Sequence, residues 1–266
     1  MTEATRMPAS ALLVSRQGSE RTFFGWPVLL FLASAAATVL WCDSMSTMGG
    51  MPMPGGWTMS MAWMRMPGET WAGAAVSFLG MWVVMMAAMM LPSLTPLIGR
   101  YRQPAGRTAL AGLGYFSVWA LIGLAVFPVG VAAAAMEMDH PSLARAVPVA
   151  TALTVLMAGA LQFTKWKAHH LVCCRQAPGP DRVLPDDAAT AWRQGLRFGF
   201  HCSLSCANLT AVLLVIGVMD LRAMAVITAA ITAERLAPAG ERVARAIGCV
   251  AIGAGLLLLT THVAST

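Results

Sequence analysis

The stretch "WAGAAVSFLGMWVVMMAAMMLPSLTPLI", residues 71–98, contains no charged side chain. An apolar run of about 20 residues is long enough to cross the hydrocarbon core of a bilayer as a helix. Inside a bilayer only helices and closed barrels satisfy their own backbone polar groups, and runs of this length indicate helices. The stretch therefore predicts a transmembrane helix.

The composition extends that prediction to the whole chain. Of its 266 residues, 58% are hydrophobic and 11% are charged, and the mean hydropathy is +0.67. A soluble domain carries about a quarter charged residues. We therefore predict an all-α, polytopic membrane helix bundle in the cell membrane, in contact with lipid. The basic residues fall between the apolar blocks, so topology explains the net charge of +6 better than nucleic-acid binding does.

Seven spans are predicted, and the sixth is the shortest. A leader, residues 1–22, precedes a single transmembrane domain, residues 23–266. A cleaved signal peptide is the alternative for the first span because residues 35–37 are small. The polar leader and the aromatic Trp41 favour a retained anchor. The predicted spans are 23–41, 71–98, 110–135, 147–164, 198–218, 221–233 and 246–262.

The basic residues predict the orientation. With the N-terminus in the cytoplasm, fifteen lysines and arginines fall inside and three, namely Arg65, Arg145 and Arg222, fall outside. Cytoplasmic loops carry such an excess of basic residues. The inside set is Arg6, Arg16, Arg21, Arg100, Arg102, Arg107, Lys165, Lys167, Arg175, Arg182, Arg193, Arg197, Arg235, Arg242 and Arg245.

The segment between the first two spans is rich in methionine. Residues 45–66, "MSTMGGMPMPGGWTMSMAWMRM", hold eight methionines. Glycine and proline predict an irregular extracytoplasmic loop over residues 43–70, with mobile and accessible sulfur atoms. Thioethers prefer soft cations such as Cu(I), so we regard Met48, Met51 and Met53 as candidate ligands. A loosely packed surface loop is the alternative.

Five further methionines lie on one face of the second span. At 100° per residue, Met81, Met85 and Met89 form a line, with Met86 and Met90 beside it. The arrangement is compatible with a ladder of metal ligands and with ordinary gap filling in an apolar core. The methionine-rich loop upstream favours the interpretation as metal ligands.

Cysteines and histidines concentrate near the predicted cytoplasmic side. Cys202 and Cys206 are four residues apart on a helix, so their sulfur atoms face the same way, while His201 points about 100° away. A second group lies in a cytoplasmic His/Cys loop, residues 165–197. Thiolate and imidazole suit Cu(I) or Zn(II), although buried or surface packing is the alternative. The candidate ligands of the second group are His169, His170, Cys173 and Cys174.

Glu234 places a carboxylate at the inner end of the sixth span. One interpretation is an interfacial residue that pairs with Arg235. The other is a buried partner of Lys167, in which case both residues would support the metal ligands from outside the coordination sphere.

Several of these segments resemble the DUF2182 family of integral membrane proteins, which are described as metal-binding and as copper chaperones. The resemblance covers residues 45–240 and implies a copper-related membrane protein. The family pattern Cys-x-Gly-Cys-Cys corresponds here to residues 202–206, with Leu204 for the glycine and Ser205 for a cysteine. His170 replaces another cysteine, as a substitute ligand. The matching segments are 48–51, 81–93, 114–119, 161–175, 195–206 and 216–240.

These patterns predict a protein that handles Cu(I), with zinc as the alternative ion. Methionines would capture the ion outside, and cysteine and histidine would receive it inside, for uptake or for delivery to a cuproenzyme or metallochaperone. The alternative is a non-catalytic structural or assembly subunit whose methionines only pack. No catalytic constellation or nucleotide-binding loop is recognised, so we expect no enzymatic activity and no nucleotide.

Overall fold

The computed structural model describes residues 9–47, 49–66, 68–100, 105–175 and 187–265. Side chains are described within these ranges for 25–95, 106–175 and 187–262. The predicted all-α bundle is confirmed. The helices are α1 (Ala9–Thr47), α2 (Trp71–Arg100), α3 (Ala105–Asp139), α4 (Pro141–Leu161), α5 (Lys165–Arg175), α6 (Ala188–Ile216), α7 (Leu221–Leu236) and α8 (Gly240–Ser265).

Six of the described helices, α1–α4, α6 and α8, are long and apolar enough to cross a membrane. The predicted sixth span coincides with α7, which has only 16 residues and is not one of the six. At 1.5 Å per residue α7 is about 24 Å long, shorter than a hydrocarbon core of about 30 Å. The seven predicted spans thus correspond to six helices that are long and apolar enough to cross a membrane and to the shorter α7. The α1 helix also begins within the predicted leader, at Ala9.

Two contacts show that α7 nevertheless runs from one end of the bundle to the other. Just before α7, Met219 Sδ lies 3.8 Å from Cys42 Sγ near the end of α1. Near the other terminus of α7, Glu234 pairs with Lys167 on α5. We call the first of these the hairpin end, because the short antiparallel hairpin of residues 51–59 follows α1 there, and the second the α5 end.

The segment between α1 and α2 is more ordered than its composition predicts. Strands β1 (Met51–Met53) and β2 (Trp57–Met59) pair antiparallel, and a 3₁₀ turn follows at Met61–Trp63. Met53 and Met59 are buried against Ala134 and Ala144 of α3 and α4. The prediction of accessible sulfur atoms across this segment is therefore wrong at these two positions. The α1 helix also continues to Thr47, so the loop begins later than residue 43.

The predicted cytoplasmic His/Cys loop is also wrong in part, because residues 165–175 form α5 and α6 begins at Ala188. Lys167, Leu171 and Cys174 are buried along one face of α5. Their i, i+4, i+7 spacing is that of an amphipathic helix. This face packs on α6, and the histidines lie on other faces of α5. The linker at 176–186 lies outside the described residues.

Glycines bring α3 and α6 together. A Cβ atom on Gly199 would lie 2.7 Å from the carbonyl oxygen of Tyr115, and one on Gly195 would overlap the carbonyl of Ala111. Gly195 and Gly199 are four residues apart, the small-xxx-small spacing that lets membrane helices approach closely. This contact places Tyr115 of α3 directly beside the cysteines of α6.

Candidate metal-binding site

The five methionines of α2 face the interior of the bundle. Met81, Met85, Met86, Met89 and Met90 are all buried and belong to one hydrophobic cluster with Cys174, Cys202 and Cys206. From Met81 to Met90 the helix rises about 13 Å. The α2 helix continues through Pro92 without a break. We call these five residues the methionine column.

Three cysteines lie close together at the Met90 end of this column. Cys202 and Cys206 lie on successive turns of α6, and Cys174 of α5 approaches from the side; all three are buried free thiols. Met90 Sδ of the column lies 3.9 Å from Cys202 Sγ. We call Cys174, Cys202 and Cys206 the thiol cluster. Donors that are far apart in sequence are thus adjacent in space.

Two neighbours of the thiol cluster were not predicted as site residues. Tyr115 Oη lies 2.8 Å from Cys202 Sγ. Arg235 donates from Nη2 to Cys174 Sγ at 2.9 Å and from Nη1 to Ser93 Oγ at 2.8 Å. Each carried a sequence signal: Tyr115 is one of only two tyrosines, and Arg235 follows an apolar run in which a charge is expensive.

The burial of Arg235 and Lys167 changes the number of basic residues that support the predicted orientation. The orientation counts both among the cytoplasmic residues, but their side chains are only 5% and 1% exposed. Removing them from the fifteen inside residues leaves thirteen, so the excess over the three outside residues remains large. The two cations are buried because each has partners inside the bundle.

The Arg235 guanidinium lies in a thiol environment. Among the described residues it makes no ion pair with a carboxylate, because Glu234 is engaged by Lys167 and Gln162. Hydrogen bonding with Cys202 and the charge of Arg235 lower the pKa of the Cys174 thiol from 9.0 to about 7, against the opposing effect of burial. Cys174 therefore has substantial thiolate character near neutral pH.

Lys167 and Glu234 form a buried ion pair beside the thiol cluster. Lys167 Nζ lies 2.7 Å from Glu234 Oε2 and also donates to the carbonyl of Ser205, next to Cys206. Gln162 Nε2 donates to Glu234 Oε1 at 2.7 Å. The contact observed for Glu234 is with Lys167, as in the second of the two interpretations of this residue. The network ties α5, α6 and α7 together around the cysteines.

The histidines form a separate group on the outer faces of α5 and α6. His170 Nδ1 lies 3.2 Å from His201 Nδ1, and Cys173 Sγ lies 3.7 Å from His169 Nε2. Partial burial and the neighbouring His201 and His169 lower the pKa of His170. These four residues are exposed or half-buried, whereas the thiol cluster is buried.

No three His, Cys, Asp or Glu side chains in the described part of the chain are placed to hold one metal ion. A site in the thiol cluster therefore needs a donor of another type, and Met90 is adjacent. The loop candidates lie elsewhere: Met51 is exposed on the hairpin, Met53 packs on α3 and α4, and Met48 is outside the described residues.

A family model described as "PpoB2: Copper chaperone" matches residues 79–258. Searches of curated proteins and of solved structures found no match. The matched region contains the methionine column, the thiol cluster, Tyr115 and Arg235, and it excludes the hairpin. The copper-chaperone part of the earlier resemblance is thereby supported, while the DUF2182 label remains a resemblance. Because the match covers more than half of the sequence, the chain belongs to the PpoB2 copper chaperone family.

Proposed function

We propose that this chain is a non-catalytic protein of the cell membrane that binds Cu(I) as cargo in the thiol cluster. The methionine column would conduct the ion to the cysteines, and the loaded protein would deliver it for copper uptake or to a cuproenzyme under assembly. Thioethers are neutral, soft ligands and thiolates are stronger ones. An ion that moves along the column toward the thiols would therefore move from weaker to stronger ligands.

One observation carries this proposal: the 3.9 Å approach of Met90 Sδ to Cys202 Sγ. Burial of the methionines by itself is equally what packing predicts. The sulfur–sulfur contact adds a connection between two donor sets, since the last methionine of the column ends at a cysteine. A series of ligands that conducts an ion to the cysteines requires such a contact, whereas methionines that only fill space do not.

The donor set favours Cu(I) over zinc. Structural zinc is almost always held by four tetrahedral nitrogen, sulfur or oxygen ligands. Among the described residues no three His, Cys, Asp or Glu side chains are placed to hold one metal ion. Two thiolates with a thioether form a soft site of low coordination number, which suits Cu(I).

The charge of Arg235 supports the same choice. Metal-bound thiols are deprotonated. We take Cys174, beside Arg235, and Cys202, beside Met90, as the two thiolates and Cys206 as a neutral thiol. These two thiolates, the Arg235 guanidinium and one monovalent cation sum to zero charge, whereas a divalent cation leaves the site with a net positive charge. A net charge in a buried, low-dielectric site is costly. Arg235 therefore favours a monovalent ion.

Cu(I) titration of the purified chain in detergent tests the proposal. We expect Cys202→Ser to weaken Cu(I) binding on the order of 100-fold or more, because changes around a metal site already cost 10- to 100-fold. Cys249→Ser is the matched control, since Cys249 is an exposed free thiol on α8 and should leave affinity unchanged.

The packing alternative makes the opposite prediction. If the methionines and cysteines only fill space, Cys202→Ser and the volume-conserving double change Met85→Leu/Met89→Leu will bind Cu(I) as wild type does. Unchanged binding in both variants would leave a structural or assembly subunit as the better account. In the copper-handling account, the double change slows loading of the thiol cluster.

A further inference from the structure

A second group of methionines surrounds a cavity of about 330 Å³ at the hairpin end. Its wall is formed by the end of α1, the segment from the 3₁₀ turn onward, α2 and the turn before α7. We call it the methionine cavity. The methionines that line it are Met45, Met61, Met64, Met66, Met81 and Met219.

Packing does not account for this arrangement. Methionine is useful in cores because its flexible side chain fills irregular gaps. Here six methionines make up half of the twelve residues around open space, although the whole chain has 20 among 266 residues. Filler residues would close such a space, whereas ligands would surround it.

The wall of the cavity is held in place by contacts behind it. Met219 Sδ lies 3.8 Å from the buried Cys42 Sγ. The Trp63 ring, between Met61 and Met64, packs on Phe78 with ring centroids 5.2 Å apart. A side chain at Gly130 would overlap Trp63, so the bare backbone of α3 makes room for that ring. These contacts bring thioethers from four segments to one place.

The chemistry of the lining identifies the class of ligand. Glu69 is the one charged side chain among the residues that line the cavity. Thioether sulfur prefers soft cations, and a single carboxylate balances a single positive charge. We infer that the methionine cavity is a second binding site, specific for a soft monovalent cation, through which Cu(I) enters the methionine column.

This inference rests on the proposed function for the identity of the ion. Met81 lines the cavity and is also the first residue of the column, so the two share a ligand. The match to the copper chaperone family begins at residue 79, and therefore Met45, Met61, Met64 and Met66 lie outside it. In this account the residues of the loop that capture the ion are Met61, Met64 and Met66, in place of the predicted Met51 and Met53.

Silver titration of the reduced, full-length chain in detergent tests this site. Ag(I) has the charge and softness of Cu(I) and does not change its oxidation state. We expect two Ag(I) ions per wild-type chain and the loss of one in the triple variant Met61→Leu/Met64→Leu/Met66→Leu. The matched control is Met51→Leu/Met53→Leu, which changes hairpin methionines outside the cavity and should retain both ions.

A second measurement uses the wild-type chain and so does not depend on the folding of a variant. Peroxide converts accessible methionine to the sulfoxide. Bound Ag(I) should slow oxidation of Met61, Met64 and Met66, as read by peptide mass spectrometry, and leave the exposed Met51 unaffected. Equal protection of Met51, or no protection of the cavity methionines, would overturn the inference.

The stoichiometry also separates this inference from the proposed function. Retention of both ions by the triple variant, or equal loss in the hairpin control, removes the cavity site. If Cys202→Ser keeps both ions while the triple variant loses one, the cavity stands and the thiol site fails. If Cys202→Ser loses one ion and the triple variant another, both sites stand.

Discussion

Arg235 shows how a single side chain sets the chemistry of its surroundings. Its guanidinium is buried, and its hydrogen-bond partners are Cys174 and Ser93. Its neighbour Glu234 points into a different network with Lys167 and Gln162. Adjacent residues of opposite charge thus serve separate sites, because consecutive side chains on a helix point about 100° apart.

The first prediction concerns ion selectivity at Arg235. Arg235→Gln should lower the preference for Cu(I) over Zn(II) by at least about tenfold, because a unit charge at 4 Å is worth several kcal/mol even at a dielectric constant of about 20. Competitive titration of the purified variants with both ions measures the preference. Arg235→Lys keeps the charge and is the control; an identical change in both variants would contradict the charge argument.

The second prediction concerns the Lys167–Glu234 pair. Lys167→Met leaves Glu234 as an unpaired buried charge, which should destabilise the fold by about 3–5 kcal/mol. Glu234→Gln should have a comparable effect. The double variant Lys167→Met/Glu234→Gln removes both charges and should be more stable than Lys167→Met. Thermal unfolding in detergent measures all three, and additive losses would show that the two side chains do not stabilise each other.

At the scale of helices, close approach decides which side chains meet. Tyr115 reaches Cys202 because Gly195 and Gly199 let the backbones of α3 and α6 nearly touch. No hydrophobic effect drives helices together within lipid, so small residues and van der Waals packing determine the interface. The glycines of α6 therefore help to build the site without contributing a ligand.

The third prediction tests this interface. Gly195→Ala places a methyl group against the Ala111 backbone and should cost about 1–3 kcal/mol of stability, with weaker Cu(I) binding as α6 moves from Tyr115. Gly112→Ala on α3 is the control because its added Cβ meets nothing within 4 Å. Thermal unfolding and Cu(I) titration report both effects. Equal behaviour of the two variants would exclude the glycine contact as the cause.

At the scale of the molecule, the donors are arranged along the length of the bundle. The methionine cavity lies at the hairpin end, the methionine column follows α2, and the thiol cluster lies toward the α5 end. The excess of basic residues predicts that the α5 end faces the cytoplasm. Soft thioethers would then face the outside, where thiols oxidise, and thiols would face the reducing cytosol.

The fourth prediction is this orientation. In a Cys249→Ser background, which removes an exposed native thiol, Thr58→Cys at an exposed position of the hairpin should react with a membrane-impermeant maleimide in intact cells. Arg193→Cys near the start of α6 should react only after the cells are permeabilised. Gel-shift labelling distinguishes the two positions. The reverse pattern would invert the proposed direction of copper movement.

The helices were predictable where local information was sufficient. The charge-free run at 71–98 became α2, and the spacing of Met81, Met85 and Met89 correctly placed them on one face. Errors arose where tertiary contacts decided the outcome. Met53 and Met59 are buried by α3 and α4, and α5 is stabilised where its buried face, with Lys167, Leu171 and Cys174, packs on α6.

The sequence by itself determined an all-α membrane bundle, because long apolar runs have no other way to satisfy their backbone in lipid. It also determined which soft donors exist and how they are spaced along each helix. Only the tertiary structure decided that Cys174, Cys202 and Cys206 come together, that Met90 lies against Cys202 and Arg235 against Cys174, and that six methionines line a cavity. Those meetings depend on packing between segments far apart in sequence, which no local pattern records.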